Sequence, residues 1–235
     1  MTITKDQNQN TSWLNFYNSS VGKKIITGIT GLGLSLFVLF HMVGNLVFLS
    51  DRDAYNQLAH NINSLSFLLY GVELILLVAV VFHGVVGISI RLNSKRSRPE
   101  SYNKLKSAGT PSKQSISSRS MAITGIVVLG FLTWHLLSFK FGTYYSTTVN
   151  GETMRDLSRL VGEKFHNPIY AFGYGILITF LGLHLRHGIW SAGQSLGVLE
   201  GKVSYLVYKL SSLLAIAITI GFIAVPITVY FDLLG

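Results

Sequence analysis

Charge falls in blocks along this chain, and the gaps between the blocks predict its architecture. No Asp, Glu, Lys or Arg occurs from Ile25 to Ser50, Ser120 to Phe139, Phe165 to Leu185 or Leu210 to Phe231, and Glu73 is alone between Ala54 and Ile90. Each gap reaches the roughly 20 apolar residues that cross a bilayer core as a helix. Five spans are predicted at about 25–49, 66–91, 120–140, 168–190 and 204–231. In lipid the backbone must satisfy its own hydrogen bonds, so each span is helical. The fold class is therefore all-α: a single integral membrane domain over residues 1–235, built as a bundle of five transmembrane helices.

The flanks refine this reading. The first gap is too long for a signal-peptide core and lacks a small-x-small cleavage site, so it is read as retained. Ser19 or Ser20 is placed to cap the first helix ahead of Lys23 and Lys24. Trp13, Phe16 and Tyr17 at the start, and Tyr205 and Tyr208 before the last span, suit the headgroup layer. Pro226 should bend the last helix near its outer end. The loop 92–118 is Ser-rich and basic, with Pro99 and Pro111, and reads as a linker or a docking surface. The loop 141–167 is long enough for a short amphipathic helix around 152–162.

Composition changes the picture in two ways. Of 235 residues, 49% are hydrophobic and only 12% charged, and there is no cysteine. A disulfide scaffold and any cysteine-ligated zinc or iron–sulfur site within the chain are excluded. The net charge of +9 is a matter of topology. With the N-terminus inside, fourteen of the 19 Lys and Arg fall in inner segments. The outer segments hold only Arg52, Lys140, Arg155, Arg159 and Lys164. The positive-inside rule then puts the N-terminus in the cytoplasm and the C-terminus outside. No basic helix face with interleaved aromatics supports nucleic-acid binding.

Ionisable groups within spans are rare and usually functional. His41 and His135 lie four to five residues past the midpoints of spans 1 and 3, which run outward. His83 and His184 lie about five past the midpoints of spans 2 and 4, which run inward. At 1.5 Å per residue, one pair sits roughly 7 Å outside the midplane and the other roughly 7 Å inside it. Two imidazoles facing across a bundle core is the arrangement of a bis-histidine haem. The pattern predicts an outer site at His41 and His135 and an inner site at His83 and His184. Hydrogen-bonded core histidines or a proton relay are the alternatives.

Each of these four helices carries a small residue 10–12 positions before its histidine: Thr30 and Gly31, Gly71, Thr124 and Gly125, and Gly173. Eleven helical residues turn through about 1,100°, so the small residue points to nearly the same face about 16 Å away. That is the level of the other site, where a glycine lets a flat group approach the backbone. Small residues that mediate helix packing give the same pattern.

Around these histidines stand Phe40-His41-Met42, Phe82-His83-Gly84-Val85-Val86-Gly87, Thr133-Trp134-His135-Leu136 and Leu183-His184-Leu185. With Ser19-Ser20-Val21-Gly22-Lys23-Lys24 and His187-Gly188-Ile189-Trp190-Ser191-Ala192-Gly193-Gln194, they resemble the dihaem cytochrome b anchor of succinate:quinone oxidoreductases. The likeness is to the type with one five-helix anchor subunit, fumarate reductases included, and covers nearly the whole chain. It implies two haem b groups ligated by His41, His83, His135 and His184, in a bacterial cytoplasmic membrane. It also implies a flavoprotein and an iron–sulfur subunit on the cytoplasmic side, with a quinone, usually menaquinone, as the other electron partner.

The other polar residues take roles within that frame. Lys24, Arg91, Arg119, Arg186 and His187 lie where inner haem propionates could reach, although cations at helix ends often only snorkel. His60 and Asn63, in the outer connection between spans 1 and 2, fit quinone binding or proton delivery, or a plain loop role. Glu73 lies about five residues outside the midpoint of span 2, at the outer level. A buried carboxylate there fits quinone proton exchange or a structural acid. Asn45, one turn after His41, fits helix packing or the orientation of a haem group.

Overall fold

The computed structural model describes residues 14–97, 116–199 and 201–233. Trp13 and most of the basic 92–118 loop lie outside the described residues. Within them run α1 (Ser20–Ser50), α2 (Arg52–Ser64), α3 (Phe67–Arg96) and α4 (Ile116–His135). A π-helical turn (Leu136–Lys140), the strands β1 (Ser146–Val149) and β2 (Glu152–Arg155), α5 (Leu157–His166), α6 (Pro168–Ser195) and α7 (Gly201–Tyr230) follow.

Five helices are long and apolar enough to cross a membrane: α1, α3, α4 with its π-turn, α6 and α7, with mean hydropathy from 1.5 to 2.4. Their apolar side chains face outward. Phe67 is 90% exposed, and Leu68, Ile75, Leu77, Ile126, Ile176 and Leu213 are each 60% or more exposed. Water would penalise that surface at about 25 cal/mol per Å², whereas lipid does not. This is the form of a five-helix membrane bundle.

The packing order places the interior. α1 packs on α3, α6 and α7; α6 also packs on α4 and α7; α3 meets α4 only sparsely. The helices α1, α3, α4 and α6 thus form a ring that is loosest between α3 and α4, with α7 outside it against α1 and α6. Small residues set the closest approaches. A side chain at Gly28 would stand 3.6 Å from the Ala192 Cα where α1 crosses α6. One at Gly182 would run into the Thr219 hydroxyl where α6 meets α7. Such close crossings are how helices gain contact in lipid.

Helix starts follow their capping residues. Ser19 Oγ accepts from the Gly22 amide at 2.9 Å, and Asp51 Oδ1 accepts from the amides of Asp53 and Ala54 at 2.8 and 3.0 Å. Asn167 caps α6 ahead of Pro168. These side-chain acceptors satisfy amides that have no intrahelical partner.

The segments expected on the outer side depart from the sequence-based expectation in three places. The 1–2 connection is not a plain loop but α2, set off by the Asp51 cap. The amphipathic helix expected over 152–162 starts later, at Leu157, because Glu152–Arg155 pairs antiparallel with Ser146–Val149. Asn150 and Gly151, at φ +53° and +84°, make the tight turn. Positive φ at both turn residues matches the twist of a hairpin, and Asn-Gly is its usual sequence. The strands also make the fold all-α only in its membrane part. Third, α4 widens into a π-turn immediately after His135, with the Phe141 amide bonded to the Leu136 carbonyl at 2.9 Å.

These outer pieces form one cap. Asn56, 1% exposed, donates to Asp156 Oδ1 at 3.0 Å and Ser158 Oγ at 3.2 Å and accepts from the Ser158 amide at 2.8 Å. Arg155 donates to the carbonyls of Phe139 (2.9 Å), Gly142 (3.2 Å) and Thr143 (3.3 Å), clasping the end of the π-turn. Beneath the cap, Phe48, Tyr55, Phe165, Tyr174 and Val225 close a buried apolar cluster.

Candidate metal centres

Four helices bring the four span histidines together as two pairs. The rings of His41 (α1) and His135 (α4) have centroids 5.7 Å apart with planes at 84°. Those of His83 (α3) and His184 (α6) are 6.1 Å apart at 72°. Two metal–imidazole bonds of about 2 Å, with about 1 Å from each nitrogen to its ring centre, put opposed ring centres about 6 Å apart. Both pairs have that separation.

Among the described residues no group of three or more His, Cys, Asp or Glu is placed to hold a metal ion. The donors come in twos. A bare zinc ion takes three or four protein ligands. Two imidazoles per site would instead suit an iron that takes its remaining ligands from a porphyrin. The residues present therefore fit haem.

The surroundings of the two pairs differ. Around the outer pair the shell is aromatic: Phe37 stacks on His41 at 5.5 Å and Phe222 lies 5.8 Å from it. Phe139 is 5.4 Å and Phe131 6.1 Å from His135, with Tyr174 at 6.3 Å. Asn45 donates to the His41 carbonyl at 2.8 Å, and its amide nitrogen lies 3.4 Å from His41 Nε2. Tyr55 of α2 donates to Asn45 Oδ1 at 3.2 Å. Burial pushes the Tyr55 hydroxyl up to about 12, with the nearby Arg155 charge opposing the shift, so it remains a donor at neutral pH. Asn45 thus ties His41 to the cap, a link that its position one turn after His41 did not reveal.

The inner pair has polar contacts on Nδ1. The Thr27 carbonyl lies 3.2 Å from His83 Nδ1, and Thr30 Oγ1 lies 3.4 Å from it. Thr124 Oγ1 lies 3.2 Å from His184 Nδ1. A side chain at Gly31 would come within 3.0 Å of His83 Cε1, and one at Gly125 within 3.4 Å of His184 Cε1. Beside Thr30 an apolar groove of about 520 Å³ follows the α1–α3 seam along Leu74, Val78 and Phe82, a lining suited to a flat apolar group or a lipid-like tail.

The other residues that the sequence singles out scatter. Gly71 faces open space, and Gly173 faces the Trp134 ring, where a side chain would stand 3.1 Å away. Neither meets a histidine as Gly31 and Gly125 do. Glu73 is not a lone buried acid: its side chain is 36% exposed and it pairs with Lys140 at the end of the π-turn. The sequence concealed that pair because its members lie on different helices. His60 lies 3.9 Å from Glu152 on the cap, and Asn63 is exposed near the end of α2. Arg186 turns to α7, donating to Ser212 Oγ at 3.2 Å and the Tyr208 hydroxyl at 2.7 Å. His187 is half-buried, 5.9 Å from Trp190. Arg91 and Lys24 are exposed, and the Arg119 side chain lies outside the described residues.

The apolar five-helix bundle thus encloses two histidine pairs, each drawn from two helices. The chain is a homologue of the "Succinate dehydrogenase cytochrome b558 subunit" of Bacillus subtilis (strain 168), with 24% identity over 176 residues, 74% of this chain and 77% of that one. No family model matches the chain, and no solved structure matches it.

Proposed function

We propose that this chain is the cytochrome b membrane anchor of a succinate:quinone oxidoreductase, in a bacterial cytoplasmic membrane with its N-terminus inside. His41 and His135 hold the iron of an outer haem b, and His83 and His184 that of an inner one. When bound, each haem supplies a one-electron couple. Two protein imidazoles per iron leave no open position, so the sites suit electron transfer and not oxygen binding.

Succinate chemistry lies outside the chain. With no cysteine, it depends on partners for iron–sulfur clusters. A flavoprotein and an iron–sulfur subunit on the cytoplasmic side, and a membrane quinone, menaquinone, complete the reaction. Glu73, held by Lys140, is the intramembrane acid available for quinone protons, with His60 and Asn63 on the cap beyond it. Lys24, Arg91, Arg119, Arg186 and His187 are the candidates for the inner propionates, Arg186 with two of its donors on α7.

The single observation that carries this reading is the meeting of four histidines from four helices as two pairs about 6 Å apart. The test is a reduced-minus-oxidised visible spectrum of the purified complex with quantified haem. Two haems are expected per chain, one of them lost in His41→Ala and one in His83→Ala, with a flavoprotein and an iron–sulfur protein co-purifying. Four histidine variants with unchanged spectra would overturn it.

A further inference from the structure

The two outward-running helices repeat one dipeptide: Thr30-Gly31 on α1 and Thr124-Gly125 on α4, each threonine eleven residues before an outer histidine. Both dipeptides dock on the inner pair, each against the histidine of a neighbouring helix. Resting on the haem reading above, we propose that Thr124, and Thr30 with the Thr27 carbonyl, are positioning residues. By accepting from Nδ1–H they fix the tautomer and the electron donation of the inner imidazoles.

The Thr27 carbonyl can only accept, which sets the sense of its bond with His83 Nδ1, and the two hydroxyls are assigned the same sense because each has a carbonyl at hand for its own hydrogen. A threonine hydroxyl has one hydrogen. Thr124 Oγ1 donates its own to the Ser120 carbonyl at 3.1 Å, with the Met121 carbonyl at 3.2 Å. Thr30 Oγ1 donates to the Ile26 carbonyl at 2.7 Å. With their hydrogens on these carbonyls the hydroxyls are acceptors toward the rings, as the Thr27 carbonyl is. In this assignment the proton of each neutral inner imidazole is on Nδ1, and the Nε2 lone pair would be available to iron. A ligand histidine that donates its other N–H is a more basic ligand with a fixed ring orientation.

The two histidines are supported unequally. His184 has the Thr124 hydroxyl, which is 1% exposed and out of reach of water. His83 has two acceptors, and the carbonyl is the nearer at 3.2 against 3.4 Å. Gly31 lets the His83 ring come this close, since a side chain there would press on the imidazole, while one at Gly125 would just touch the His184 ring. The outer histidines have no equivalent Nδ1 bond among those described.

The test uses Thr124→Val and Thr30→Val in the intact complex, with potentiometric titration of both haems and low-temperature spectra of the ferric state. The inner haem is identified as the component lost in His83→Ala. A less basic ligand favours ferrous iron. Thr124→Val should therefore raise the inner midpoint, by up to a tenfold change in the oxidised-to-reduced ratio, about 59 mV for one electron. Thr30→Val should raise it less, because Thr27 still accepts, and the outer midpoint should hold. Thr124→Ser keeps the acceptor and should return the inner midpoint toward the parent value. Loss of the inner haem alone in Thr124→Val, with Thr124→Ser intact, also supports the assignment.

Unmoved midpoints in both valine variants, equal shifts of both haems, or loss of both haems in the serine variant would overturn it. A parent protein without haem would instead refute the haem reading. A parent with two haems and unresponsive threonine variants would refute this inference alone.

Discussion

At Asp156 a single carboxylate holds three pieces of the outer cap. It caps α5 by accepting from the Arg159 amide at 2.9 Å, and it also accepts from Asn56 and Ser158. Burial alone would lift this carboxyl, but the three hydrogen bonds and the Arg159 charge outweigh it and hold the group below its usual value. A folded-state value below the unfolded one gives stability that is present at neutral pH and lost as pH falls through and below the ordinary carboxylate range. Cleavage of the 143–167 segment by an acid-tolerant protease, with the melting temperature of the detergent-solubilised protein, should report that loss between neutral and strongly acid pH. Asp156→Asn should weaken the cap at pH 7 and flatten this dependence; an unchanged acid profile in that variant would sink the assignment. Residues of this kind explain what was legible at the smallest scale. The four histidines stood out because an imidazole in an apolar span is conspicuous at any register. Asn56 and Asp156 did not, since polar residues are common in loops and their partners lie about a hundred positions apart.

Helices were legible to the extent that their cause is local. The membrane spans follow from charge gaps, and the caps at Ser19 and Asn167 agree with the boundaries. The π-turn after His135 has no such local signature. It is closed by Arg155, a residue that reaches it from the end of the hairpin. The Asn150-Gly151 turn did carry a local signal, which the helical pattern expected over 152–162 masked. Small residues were the hardest to sort: Gly31 and Gly125 meet imidazoles, Gly182 meets another helix, and Gly175 faces open space. Only the neighbour across the bundle separates these roles. That difference predicts the effect of substitution. Gly182→Val should push α6 from α7 at Thr219, whose hydroxyl is held by the Ala215 carbonyl at 2.7 Å. Overpacking of this type costs about 1–3 kcal/mol. Thermal melting of the solubilised complex should fall accordingly, while Gly175→Ala, mid-helix with no close neighbour, should match the parent or exceed it by up to about 1 kcal/mol. Equal melting points for the two would show that the α6–α7 contact is not limiting.

For the whole molecule, the decisive property is which end faces which compartment, because it decides whether the inner histidine pair or the outer one adjoins the partner subunits. The α2–hairpin–α5 cap lies on the side of His41 and His135, tied to His41 through Asn45 and Tyr55. α3 runs past His83 to Arg96 and α4 starts at Ile116, so the chain enters and leaves the basic 92–118 loop at the end of the bundle opposite the cap. If that loop is cytoplasmic, as the charge asymmetry requires, the cap faces outward and His83 and His184 are the pair nearest the side on which the proposed function puts the iron–sulfur partner. The cysteine-free sequence makes the orientation directly measurable, because any thiol signal comes from an introduced residue. Ser146→Cys in the hairpin and Asn18→Cys before α1 are both at exposed positions, separated along the chain by three spans and so on opposite sides of the membrane. A membrane-impermeant maleimide applied to intact cells should label Ser146→Cys, and should label Asn18→Cys only after the membrane is opened. The reverse pattern would invert the bundle. The cap would then become the docking face, and His41 and His135 would be the pair nearest the source of electrons.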